Sequence, residues 1–121
     1  MHDATMRERI SQSLREALKG RDTIAVSALR SALSAIANAE AVDAPATPAS
    51  GSQFVAAGVS GLGSGDVPRR SLSNADVDAI VRTEISERLR AADDYDRAGR
   101  PEQAGRLRRE AGVLAELVPP G

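Results

Sequence analysis

Cysteine and tryptophan are absent from the 121 residues, and there is one tyrosine, one phenylalanine and one histidine, His2. Without cysteine the chain has no disulfide, no thiolate metal ligand and no thiol nucleophile. One histidine leaves none for a proton relay or a zinc site. The scarcity of aromatic rings removes the platforms on which single-stranded bases stack. A dominant charge is missing too: 16 Lys+Arg stand against 17 Asp+Glu, a formal net charge of −1, which argues against bulk attraction to nucleic acid or an anionic membrane. No apolar run approaches the roughly 18 residues of a membrane span. The opening MHDATMRERI carries charges where a secretory signal needs an apolar run, so a soluble cytoplasmic chain with no membrane contact is expected. The length leaves room for one domain and a loose segment. Composition thus disfavours a self-contained enzyme.

What the chain does have is helical periodicity. The first helix is expected over 4–19: Thr5 and Glu8 have capping-box spacing, and Met6, Ile10, Leu14 and Leu18 fall four apart. Gly20 is placed to end it in a left-handed conformation. Asp22 then caps a second helix over 23–40, where Val26, Leu29, Leu33 and Ile36 step 3-4-3 as a seam flanked by Ala25, Ala28, Ala32, Ala35 and Ala39. So short a connection implies an antiparallel hairpin. A third helix is expected over 74–98, with Ser73 as N-cap, Asp76 at the third helical position, and Leu72 and Val77 spaced as a hydrophobic staple. Its stripe is Val77, Ile80, Val81, Ile85, Leu89 and Ala92, and Gly99 ends it. Pro101 suits the first turn of a fourth helix over 101–118, striped by Ala104, Leu107, Ala111, Leu114 and Val118. The fold class read from this is all-α: a four-helix bundle of two helical hairpins joined by a long flexible loop. The large core side chains are few and aliphatic, so marginal stability or help from a partner is expected.

The joining segment, 41–71, carries three prolines, five glycines and no sustained period. It offers too little apolar surface to offset its ordering entropy and reads as a linker, with Phe54, Val55 and Val59 able to dock on the helices. Within it GVSGLGSG at 58–65 has neither the flanking strand nor the lysine of a phosphate-binding loop.

Three features bear on chemistry. Asp93, Asp94 and Asp96 cluster near a helix C-terminus and read as a solvated face, partly balanced by Arg90 and Arg97. The next stretch is the most basic: Arg97, Arg100, Arg106, Arg108 and Arg109 against Glu102. Arg97, Arg100, Arg106 and Arg109 are the candidate phosphate contacts, since guanidinium forks match phosphate oxygens and Arg106 and Arg109 are helical neighbours. A solubilising face is the plain alternative for the same residues. Glu84 and Arg88, four apart, read as an ordinary helix-stabilising pair. No serine has a basic partner at readable spacing, so no catalytic residue, metal ligand, cofactor or small-molecule substrate is assigned.

The ordered runs resemble the GatB/YqeY family. They are LRSALSAIANAE at 29–40, LSNADVDAIVRTEISERLRAADDYDRAGR at 72–100 and EAGVLAELVP at 110–119. The second carries the likeness best: a capped start, then Glu84 and Arg88, then Tyr95 followed by Ala98, Gly99 and Arg100. The resemblance implies an N-terminal helical bundle related to the tail of the B subunit of tRNA-dependent amidotransferase, which helps to hold tRNA while catalysis belongs to other domains. It also implies that Glu84, Arg88 and Gly99 belong to the family pattern. The family's three-helix C-terminal bundle has no match in these residues, and the loop between the second and third helices is longer than the family's turn. The function expected is therefore a non-catalytic accessory module contacting tRNA or a tRNA-handling complex. The alternative is a helical module for a protein partner or self-association, with no nucleic-acid role.

Overall fold

Residues 4–41 and 71–119 are described by the computed structural model, and they hold four α-helices and no strand. These are α1 (Met6–Lys19), α2 (Thr23–Ala41), α3 (Asn74–Arg97) and α4 (Pro101–Ala115). They make an all-α bundle of two hairpins, as the periodicity predicts. The stretch up to Ile36 and the stretch from Ser73 form one unit, and 37–72 form the other. The first unit contains every buried side chain among the described residues. The readings placed on His2, on Phe54, Val55 and Val59, and on the glycines of 58–65 lie outside the described residues.

Helix starts follow local chemistry closely. The Thr5 hydroxyl accepts from Glu8 N–H at 3.1 Å, while Glu8 Oε1 accepts from Thr5 N–H at 2.8 Å. Ser73 and Asp76 repeat this reciprocal box at 3.0 Å both ways. Asp22 Oδ1 accepts from Ala25 N–H at 3.0 Å at the head of α2. Each bond satisfies an N–H that a helix start leaves without a partner.

Helix ends depart from expectation in two places. Gly20 is not the left-handed residue: it keeps helical angles (φ −82°) and donates to Glu16 O at 3.0 Å, so α1 continues through it and the reversal falls on Arg21, at φ 57°. The fourth helix stops at Ala115, not 118. The pyrrolidine ring of Pro119 clashes with a helical carbonyl four residues back, and Val118 before it is pushed out of the helical region. The segment beyond is tied down by two arginines: Arg9 Nη2 donates to Leu117 O at 3.0 Å, and Arg82 Nη2 to Pro119 O at 2.8 Å.

Half of the buried apolar residues are alanine: Ala17, Ala25, Ala28, Ala32, Ala92, Ala104 and Ala111. The largest fully buried side chains are Ile10, Leu29, Ile36, Leu114 and Val81. Small residues at the contact let helices approach closely, and the core gains density where it lacks volume. This shifts several expected core positions. Leu18 is 48% exposed and Ala17 is buried in its place, because a ladder of i+4 steps drifts by about 40° per step on a 3.6-residue helix. In α2 the alanines expected to flank the seam form much of it, while Val26 and Leu33 are half-buried. In α3 Leu89 is 44% exposed, and Ile80 and Ile85 are half-buried, as are Leu107 in α4 and Val118 beyond it. Among the described residues no helix is long and apolar enough to cross a membrane.

Candidate nucleic-acid interface on the second hairpin

Helices α3 and α4 are antiparallel neighbours joined by Ala98, Gly99 and Arg100. Gly99 adopts φ +76°, donating to Asp96 O at 3.0 Å, and Arg100 N–H donates to Tyr95 O at 2.8 Å. Glycine takes this left-handed position without the steric cost a Cβ imposes. Pro101 opens α4, where its missing N–H forfeits nothing. Every residue from Asp93 to Gln103 is exposed, so the tip of this hairpin projects into solvent.

The basic stretch divides by which way the helices turn its side chains. Arg108 faces α3 and donates through Nη2 to Asp96 Oδ2 at 2.7 Å and Asp93 Oδ1 at 3.0 Å. Those hydrogen bonds, Asp96 foremost, raise its pKa above the ordinary arginine value. Asp93 and Asp96 are therefore balanced across the hairpin, and not by Arg90, which makes no ion pair among the described residues. Arg97 pairs within its own helix, Nη2 to Asp94 Oδ1 at 2.6 Å. Arg106 Nε stands 3.7 Å from Glu110 Oε2 with its side chain more than half exposed. Arg100 and Arg109 are exposed, with no side-chain partner among the described residues. Arg109 leans back along the helix, its Nη1 about 3.6 Å from where a Cβ on Gly105 would stand. Of the four predicted contacts, Arg106 and Arg109 thus share one outward face, and Arg97 and Arg100 lie at the turn.

Beneath that face lies a feature the spacing alone does not disclose. Glu84 and Arg88 do pair along α3, Nη1 to Oε1 at 2.7 Å, but they sit on the inward register with Val77, Val81 and Ala92. Arg88 Nε donates to Glu110 Oε1 on α4 at 3.0 Å, and Glu110 is buried, at 7% exposure. Ser31 of α2 donates its hydroxyl to Glu84 Oε1 at 3.1 Å. Arg88 thus ties α3 to α4, and the Glu84 carboxylate ties α3 to α2. Burial by itself lowers the Arg88 pKa, but the hydrogen bonds to Glu84 and Glu110 outweigh it and the net direction is upward. Glu110 was legible in one respect: it is a carboxylate beside the apolar stripe of Leu107, Ala111 and Leu114. Ser31 carries no comparable signal.

No protein-family model matches the chain, and neither does any curated protein.

Proposed function

We propose that the chain is a non-catalytic helical accessory module of the GatB/YqeY kind, contacting the phosphates of tRNA or of a tRNA-handling complex through the outer face of α4. The observation that carries this reading is the pair Arg106 and Arg109, three residues apart on one exposed face, with no ion-pair partner for Arg109 among the described residues. Arg100, at the exposed tip, extends the same positive surface. The network of Arg88, Glu84, Glu110 and Ser31 supports the reading indirectly: Glu110 lies between Arg106 and Arg88 and holds the helix that presents the arginines. Pairing of Arg97 and Arg108 with aspartates trims the available charge, which predicts a shallow salt dependence set by the few arginines left.

Fluorescence anisotropy of the full chain with bulk tRNA, across a salt series and against duplex DNA, tests this directly. Preferential tRNA binding, tighter than the nonspecific range of about 10⁻⁴–10⁻⁶ M, is the expected result. Replacing Arg106 and Arg109 together by alanine is expected to weaken it and to reduce the salt slope by about 1 per arginine. Unchanged binding in that variant rejects the assignment. No binding at all favours the rival reading, a protein-interaction module with no nucleic-acid role, to which the neutralised Arg97 and Arg108 also point.

A further inference from the structure

The first hairpin carries a surface of different chemistry. Thr23, Val26, Ser27 and Arg30 recur at i, i+3, i+4 and i+7 along one face of α2, and with Leu18 and Arg21 they line an open groove of about 690 Å³. Its apolar part is Leu18, 48% exposed, and Val26, half-buried. Leu33, also half-buried, continues that face two turns beyond Val26. Arg21 and Arg30 flank the apolar part. Both are exposed, and neither guanidinium has a partner among the described residues. No carboxylate lines the groove.

We propose that this groove receives an acidic amphipathic helix from a protein partner, its aliphatic side chains seated on Leu18 and Val26 and its carboxylates on Arg21 and Arg30. An amphipathic helix docks in a groove by laying its own apolar face, at i, i+3, i+4 and i+7 spacing, on the apolar part and its charged edge on the rim. Two unpaired guanidinium groups favour carboxylates, which they hold through paired N–H donors. Arg21 stands in the turn before α2 and Arg30 about two turns into that helix, so the two can meet different carboxylates of one incoming helix. An RNA backbone would use the arginines and leave the leucine and valine in water, whereas an amphipathic helix uses both. The groove and the arginines of α4 are on different elements, so the proposal stands whether or not the second hairpin contacts RNA.

The test is an NMR titration of the isotopically labelled full chain with two synthetic helical peptides. Both carry leucines at i and i+4. One flanks them with glutamates and the other with lysines at the same positions. The glutamate peptide is expected to shift the methyl signals of Leu18 and Val26, and the lysine peptide to leave them in place. Arg30→Glu, at an exposed position, is expected to weaken the glutamate peptide by about tenfold and to strengthen the lysine peptide. Leu18→Ser is expected to weaken glutamate-peptide binding without changing the preference for acid. Equal response to both peptides would overturn the proposal, as would shifts confined to residues outside the groove. So would competition by tRNA for the same signals, or movement of the Leu18 signal with protein concentration alone, which would assign the groove to nucleic acid or to a second copy.

Discussion

The two hairpin turns have one backbone design and two different occupants. In each, the residue after the helix cap turns left-handed, and its N–H and the next one reach back to the last turn. Arg21 donates to Leu18 O at 3.2 Å and Asp22 to Ala17 O at 2.9 Å, while Gly99 donates to Asp96 O and Arg100 to Tyr95 O. The first turn puts an arginine at φ 57°, the second a glycine at φ +76°. The first compensates at the next helix start, where the Asp22 side chain caps Ala25. In the second, Arg100 supplies no side-chain cap and Pro101 removes one N–H that would need it. The lesson is that where a helix must reverse is set by the packing of its last turn, and the residue found there sets only the cost.

The contrast extends to the hairpin bodies. In the first, Ala17, Ala25, Ala28 and Ala32 are all buried. The second adds ion pairs across the gap, Arg88 to Glu110 and Arg108 to Asp93 and Asp96. The largest expected effect therefore falls on the second hairpin. Arg88→Ala leaves Glu84 and Glu110 partly buried without their cation and is expected to cost about 3 kcal/mol in urea unfolding. Replacing Glu84, Arg88 and Glu110 together by leucine or methionine is expected to recover most of that loss, because no buried charge is then left unpaired. In the first hairpin the matching insult is added volume. Ala28, with no exposed surface, has no room for a leucine, and Ala28→Leu is expected to cost about 2 kcal/mol by the same measurement.

The smallest effects sharpen the comparison of the turns. A Cβ on Gly99 meets nothing within 4 Å, so Gly99→Ala isolates the backbone cost of the left-handed angle, about 1 kcal/mol of destabilisation. Arg21→Gly is expected to act in the opposite sense by somewhat less than about 1 kcal/mol, since glycine also gains freedom in the unfolded chain. Thermal unfolding followed by circular dichroism checks both. Opposite signs support equivalent turns, and like signs would break the equivalence.

Much of the fold is legible in the residue order because its signals are local. The capping boxes at Thr5 and Ser73, the Asp22 cap, Gly99 and Pro101 each act within a few residues, and each stands where the spacing places it. The misplaced core readings need knowledge of a neighbour, whereas the misplaced helix ends have local causes. Leu18 and Leu89 look like core residues in a stripe, yet they are exposed because other helices cover the adjoining alanines and the Arg88 pair. Gly20 looks like the reversal, yet the bond it keeps to Glu16 moves that reversal to Arg21. The four candidate arginines are equivalent on paper. They separate only in the fold: Arg97 pairs with Asp94 and Arg106 stands beside Glu110, while Arg100 and Arg109 have no side-chain partner among the described residues.

By itself, then, the sequence determined the class, the helix starts and the hairpin connections, because hydrogen-bond caps and the 3.6-residue period act over a few ångströms of contiguous chain. Only the tertiary structure decided which face of each helix is covered, that Glu110 and Ser31 join Glu84 and Arg88, and which arginines stay free. Those outcomes depend on charges and volumes brought together from residues far apart in the chain, and the energy of a buried ion pair or a close helix contact exists only once both partners are in place.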